Sequence, residues 1–171
     1  MNGTLRVLIG GGTSGIGLAL VSNYLYQGCK VFVTCQASSD LTFLNELKKQ
    51  FSATLFILEI NLDDEKSFET ATAAIDSEVG GLDIVINCIG VLHNEHENIV
   101  PERRLSEFNP EKSLKVFQIN SLSTLLFAKH FGTFLKDSKH PIFVAVSSKV
   151  GIIADNKMGG WYSYRMSKAA L

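Results

Sequence analysis

An excess of charge of either sign is missing from this chain: 16 basic side chains stand against 17 acidic ones, a formal net charge of −1 over 171 residues. No overall positive field exists to hold a polyanion, so neither nucleic acid nor an anionic membrane is an expected partner. Cysteine is scarce as well. Cys29, Cys35 and Cys88 form no Cys-x-x-Cys pair, are odd in number and lie in or beside apolar runs. That excludes a disulfide scaffold and fits buried free thiols in a reducing compartment. No apolar run approaches the roughly 20 residues that cross a bilayer. The first run stops at a glycine cluster after Ile9, without the cleavage signal of a secretory leader. Repeats, linkers and low-complexity tracts are absent too, and the expectation is a soluble cytoplasmic protein.

What is present is apolar and regularly spaced. Hydrophobic residues make up 46% and charged residues 19%, with a mean hydropathy of +0.16, which excludes a disordered or collagen-like chain. The length suits one domain, 1–171, rather than two. Apolar runs at 5–9, 31–35, 55–60, 84–86 and 142–146 have the composition of strands buried on both faces. Between them, residues 16–26 read as helix. So do a stretch from Asp40 with Phe43, Leu44, Leu47 and Phe51, and one from Asp63 with Phe68, Ala71, Ile75 and Val79. Asn109-Pro110-Glu111 opens a fourth helix with an N-cap, a proline in the first turn and an early acid. The alternation predicts right-handed crossovers and an α/β fold, a doubly wound, Rossmann-like parallel sheet. Residues 93–107 break it with charges and a proline and are expected to form a surface excursion after the fourth strand. A last helix begins near Tyr162 and the sequence stops at Leu171, about two turns on, so the C-terminal part of such a domain is expected to be missing.

The first strand runs straight into Gly10-Gly11-Gly12-Thr13-Ser14-Gly15-Ile16-Gly17 and then a helix. Glycines there permit positive φ and let backbone N–H groups approach a pyrophosphate, whose charge the helix N-terminus receives. Gly11, Thr13, Ser14, Gly15, Ile16 and Gly17 are therefore candidate dinucleotide contacts. The alternative is a tight turn that only packs helix on strand. The residue that reads the adenosine ribose should stand at the end of the second strand, about 20 residues further on. Gln36 occupies that place. An acid would select NAD and repel a 2′-phosphate; Gln36 does neither strongly, and Ser38 and Ser39 can donate to phosphate, a slight lean towards NADP over NAD. Asn61-Leu62, ending the third strand, can meet the adenine edge or simply terminate the strand.

Ligands in open α/β sheets sit at the carboxyl ends of strands, and the fifth strand ends at Ser147-Ser148. Further on, Tyr164-x-x-x-Lys168 sets a phenol and an ammonium at i and i+4, on one helix face. A free phenol has a pKa near 10, too high for efficient proton exchange at neutral pH, and a nearby cation favours phenolate. Lys168 supplies the cation and makes Tyr164 a usable acid/base. Taken alone, the pair also reads as two residues on a wet helix face.

Together these residues resemble the short-chain dehydrogenase/reductase family: the Gly11, Gly15, Gly17 loop, Asn120 in the fourth helix, Ser148, and Tyr164 with Lys168. The tail 159–171 is similar to the C-factor-like branch. In that family a glycine follows the serine after two residues, which selects Ser148 with Gly151 over Ser147. The resemblance implies that Ser148 hydrogen-bonds the substrate oxygen, Tyr164 transfers the proton, Lys168 also holds the nicotinamide ribose, and Asn120 anchors a water that continues the relay. It implies cofactor contacts at Asn87 and Gly90, and a homo-oligomer, a dimer. Asn120 lies between Phe117, Ile119, Leu122 and Leu125, where asparagine lowers helix propensity and a buried amide needs partners; without the resemblance it reads equally as part of an exposed polar stripe. Gly10 stands where the family has threonine, Asn87-Cys88-Ile89-Gly90 where it has Asn-Asn-Ala-Gly, and Asn61 where it has aspartate. The family also continues past the Tyr–Lys helix with a further strand, helices and a substrate-covering segment.

Other candidates read as structure. His93, Glu95, His96 and Glu97 are metal-ligand types, but they lie in loop sequence without a second cluster, so no metal is expected. Cys88 has no adjoining cation to make it reactive. Ile152, Ile153, Met158 and Trp161 suit either an apolar substrate wall or core and dimer packing. The expected function is an NAD(P)-dependent oxidoreductase that moves hydride between a nicotinamide cofactor and a small carbonyl or secondary alcohol. The alternative is a non-catalytic dinucleotide-binding regulatory protein. An S-adenosylmethionine methyltransferase shares the glycine loop but has no use for Ser148, Tyr164 and Lys168.

Overall fold

The structure, a computed structural model, describes residues 4–171. Strands β1 (Arg6–Gly10), β2 (Lys30–Cys35), β3 (Leu55–Glu59), β4 (Ile84–Asn87) and β5 (Ile142–Ala145) alternate with helices α1 (Gly15–Tyr26), α2 (Thr42–Gln50), α3 (Glu65–Val79), α4 (Pro110–Phe117) and α5 (Ser123–Phe131). Helix α6 (Tyr162–Ala170) follows. The described residues form two compact units: those up to Cys88 with Phe127–Ala145, and Ile89–Leu126 with Val146–Leu171.

The sheet lies wholly in the first unit, all parallel, in the order β3-β2-β1-β4-β5. Strand alternation sends Val7, Ile9, Val31, Val33, Leu55, Ile84 and Ile86 to one face, where Val21 and Leu25 of α1 and Leu44 of α2 complete a buried cluster. Leu8, Phe32 and Val85 take the other face. There a Cβ on Gly10 would meet the Phe127 ring at 2.6 Å, and Phe127 packs edge-on against Phe68 of α3, 6.0 Å between centroids. Helices cover both faces, as the alternation predicts. Asn109 caps α4 as expected, its side chain accepting from the Lys112 N–H at 3.0 Å, with Pro110 in the first turn. Helix α3 begins at Glu65, just after the Asp63 start, because Asp64 is the cap.

Two expectations change. The two end strands are not buried on both faces: Ile142, Phe143 and Val144 of β5 are 45%, 36% and 38% exposed, and Phe56, Ile57 and Leu58 of β3 are only partly buried. Among the described residues β5 pairs with β4 alone, which makes it an edge. Nor are residues 93–107 merely a surface excursion. Asn94 and Ile99 form an antiparallel bridge, Leu105–Glu107 is a 3-10 turn, and Ile99 and Glu102 are buried.

An ion pair pins the start of the sheet. Arg6 donates from Nε to one Asp83 oxygen and from Nη2 to the other, both at 3.0 Å, and its N–H adds a third bond at 2.9 Å. Those bonds hold the Asp83 carboxyl down from 3.8 to about 2. Because the folded value lies below the unfolded one, the stabilisation is present above 3.8 and lost as pH falls through about 2. Asp83→Asn is expected to cost about 2 kcal/mol near pH 7 and visibly less near pH 3. Urea unfolding at the two pH values measures the difference, and an unchanged gap would contradict it.

Candidate active site

Between β1 and α1 the chain turns through Gly11 (φ 71°) and Gly15 (φ 52°), left-handed positions that favour glycine. A Cβ on Gly17 would lie 2.1 Å from the Gly11 carbonyl oxygen, so bare backbone at 17 is what lets α1 close on the loop. Gly11 and Gly12 donate to the Thr34 hydroxyl and carbonyl, each at 3.4 Å. Ser14 is the N-cap of α1 but makes no side-chain cap bond, and the first turn holds no acid. The first helical bond is Leu18 N–H to the Ser14 carbonyl, which leaves the N–H groups of Gly15, Ile16 and Gly17 without an intrahelical partner. Ser14, Gly15 and Ile16 are exposed and Thr13 is half-buried. The loop thus offers open N–H donors, room beside Gly15 where nothing lies within 4 Å of a Cβ, and no competing anion. That is the fit a pyrophosphate requires.

Other candidate cofactor contacts of this unit stand at strand ends. Gln36 follows β2, exposed, with its N–H donating to the Ser39 hydroxyl at 3.1 Å. Asn61 follows β3, where its side-chain oxygen accepts from the Asp63 N–H at 3.0 Å and so shapes the turn into α3, while Leu62 is buried. Asn87 ends β4, buried, with its side-chain oxygen beside Gly10. The Cys88 thiol is half-buried and burial pushes its pKa up, away from thiolate.

In the second unit, Tyr164 and Lys168 lie one turn apart on α6, with Lys168 Nζ 5.9 Å from the Tyr164 ring centroid. Lys168 is buried, donates to the Val146 carbonyl at 3.0 Å, and is held below the usual lysine value by desolvation. Gly90 adjoins both Lys168 and Asn120: a Cβ there would come within 3.3 Å of Nζ and 3.4 Å of the Asn120 side-chain oxygen. Ser148 begins the 3-10 turn Lys149–Gly151, its hydroxyl accepting from the Val150 N–H at 3.4 Å. A Cβ on Gly151 would strike the Lys168 carbonyl carbon at 2.7 Å, so this glycine brings the serine turn into backbone contact with α6. Ser148, Lys168, Asn120 and Gly90 are thereby drawn around one helix.

Asn120 is fully buried rather than on an exposed stripe. It sits in a π turn, Gln118–Leu122, a distortion common at functional sites. Its oxygen accepts from the Val91 N–H at 2.6 Å; its amide donates to the Val91 carbonyl and the Ser167 hydroxyl, each at 2.9 Å. Ser167 carries no motif in the sequence that marks it as part of the site. It donates in turn to the Tyr164 carbonyl at 2.7 Å, and Ser121 donates to the Ser167 carbonyl at 2.6 Å. The only local signal was a small polar residue on the face between tyrosine and lysine. Ile153 and Met158 are 87% and 93% exposed and so are not core residues, whereas Trp161 is 39% exposed and packs against Tyr164. Among the described residues no cluster of His, Cys, Asp or Glu suits a metal ion, and no helix is long and apolar enough to cross a membrane.

A family model described as short chain dehydrogenase matches residues 6–171. The chain belongs to the short-chain dehydrogenase family. It is therefore related to oxidoreductases, and among curated short-chain dehydrogenases it is similar to pigC of Monascus ruber, 27% identical over 172 residues. That match covers 96% of this chain and 53% of the relative, so the chain spans about half the relative's length. A Burkholderia multivorans protein described as a short-chain alcohol dehydrogenase superimposes with a TM-score of 0.84 at 24% identity, over 99% of this chain and 73% of that one. Another from the same organism, described as a short-chain dehydrogenase/reductase with bound NADP, gives 0.80 at 22% identity, over 99% and 69%. At these identities the likeness is one of fold.

Proposed function

We propose that residues 1–171 form a Rossmann-type dinucleotide-binding domain of an NAD(P)-dependent oxidoreductase acting on a small carbonyl or secondary alcohol, with Tyr164 as acid/base. The observation that carries the reading is α6, where an intermediate-exposure phenol stands one turn from a buried ammonium and beside a serine turn clamped to the same helix. Gly11, Thr13, Ser14, Gly15, Ile16 and Gly17 would hold the dinucleotide pyrophosphate, and Gln36, Asn61, Leu62, Asn87 and Gly90 its remaining parts. When bound, the nicotinamide supplies or accepts the hydride. Ser148 donates a hydrogen bond to the substrate oxygen, which orients the carbonyl and stabilises charge developing there. Tyr164 delivers the proton to that oxygen. Lys168 stabilises the phenolate left behind and holds the nicotinamide ribose. Asn120 anchors the water that restores the proton, and its side chain, bonded to Val91 and Ser167, also fixes the frame around Lys168.

Gln36 with Ser38 and Ser39 favours NADP slightly, in line with the NADP bound to the Burkholderia multivorans protein of this fold. The tail supports a place near the C-factor-like branch, and the family resemblance supports a cytoplasmic dimer. Trp161, the single tryptophan, packs edge-on at 6.3 Å from Tyr164 and reports on this helix. Titrating its fluorescence with NADPH, NADH and S-adenosylmethionine separately is expected to show saturable changes with the dinucleotides only, tighter for NADPH. A response to S-adenosylmethionine alone would overturn the reading. Lys168→Ala is expected to lose dinucleotide affinity and turnover together, each by about 10- to 100-fold, the worth of one charged hydrogen bond. Unchanged affinity would remove Lys168 from the ribose.

A further inference from the structure

The helix that carries Tyr164 and Lys168 starts from an awkward turn. Gly159, Gly160 and Trp161 are left-handed in succession (φ 65°, 64° and 51°), a conformation that side-chain-bearing residues avoid. Trp161 is the N-cap of α6 and makes no side-chain cap bond. Much of what the turn lacks comes from one residue on the segment after β4. The Glu102 carbonyl accepts from the Trp161 N–H at 2.6 Å. One Glu102 carboxylate oxygen accepts from the Ser163 N–H at 3.3 Å, and the other accepts from the Ser163 hydroxyl. Glu102 and Ser163 are both buried. A Cβ on Gly160 would lie 3.0 Å from the Glu102 carbonyl oxygen, so a glycine there gives that carbonyl room. Arg165 closes the other side, donating to the Gly160 carbonyl at 3.1 Å and the Val150 carbonyl at 3.3 Å.

A buried carboxylate is costly unless it is hydrogen-bonded, and it is favoured at the positive end of a helix. Glu102 meets both conditions, and it lines the same cavity as Tyr164. We infer that Glu102 is a positioning residue, a cap delivered from a distant segment that locks the first turn of α6 and with it the direction of the Tyr164 ring. Its effect on turnover rests on the acid/base reading above; its effect on the helix does not.

Hydrogen exchange at amides 161–164 and acrylamide quenching of Trp161 read the lock directly. Glu102→Ala is expected to speed exchange there about tenfold, as loss of a cap does, and to raise quenching. Glu102→Gln keeps an acceptor for Ser163 and is expected to restore most of the protection. On turnover, Glu102→Ala should lower kcat about tenfold with the dinucleotide KM unchanged, and Glu102→Gln should recover it. If Glu102→Ala does not fold, Ser163→Ala, which deletes only the hydroxyl bond, is read by the same exchange measurement. Wild-type exchange in the folded variant overturns the lock. Loosened α6 amides alongside full turnover in Tyr164→Phe would instead overturn the acid/base reading and leave the lock standing.

Discussion

Tyr164→Phe is expected to lower carbonyl reduction by about 10²- to 10⁴-fold, the usual worth of a positioned proton donor, with dinucleotide affinity and thermal midpoint unchanged. The substitution keeps the ring, and with it the edge-on contact to Trp161 at 6.3 Å and the packing near Lys168. Among the described residues nothing bonds the Tyr164 hydroxyl, so removing it breaks no hydrogen bond of the fold. A drop in turnover without a drop in stability or binding therefore isolates the proton. Turnover followed with saturating NADPH, beside a melting curve and the Trp161 titration, separates the three quantities. Wild-type turnover would take Tyr164 out of the reaction.

The parts of this chain that were legible in advance are those whose physics is local. Three strand runs, those of β1, β2 and β4, read correctly because a strand buried on both faces must be continuously apolar, and Asn109-Pro110 marks α4 because caps act within one turn. Tyr164 and Lys168 were legible for the same reason: i and i+4 share a face in any α-helix. The failures come from tertiary context. The exposure of β5 depends on its place in the strand order, which its own residues do not encode. Around Asn120 the apolar neighbours divide: Ile119 is buried beside the fully buried asparagine, while Phe117, Leu122 and Leu125 are 36%, 41% and 66% exposed. A π turn inserts an extra residue at that point and rotates the face that a regular 3.6-residue period assigns to the core. Glu102 is harder still. It stands in charged, aperiodic sequence, and its partner lies 61 positions away. Gly151 is intermediate: the family pattern selects it, but its reason is a backbone approach to Lys168 that only coordinates reveal.

The second large effect is expected at the other cluster, where Gly17→Ala should weaken dinucleotide binding about tenfold or more with the fold retained by circular dichroism. The new methyl would lie 2.1 Å from the Gly11 carbonyl oxygen, 2.9 Å from its carbon and 3.0 Å from the Gly12 Cα. All three are backbone atoms, so no side-chain rotation relieves the overlap. Nor can the loop retreat towards the sheet: the Gly12 Cα is so close to β2 that a Cβ there would meet Val33 at 2.2 Å, and Gly11 and Gly12 are tied to Thr34. The strain is left to α1, whose first turn must lift away from Gly11 and carry its open N–H groups off the pyrophosphate position. Overpacking of this kind costs about 1–3 kcal/mol, and each 1.4 kcal/mol taken from binding is tenfold in affinity. Gly132→Ala supplies the control, because a Cβ there meets nothing within 4 Å and binding should be untouched. Equal NADPH affinity in the two variants would mean that the turn only packs helix on strand and cradles no dinucleotide.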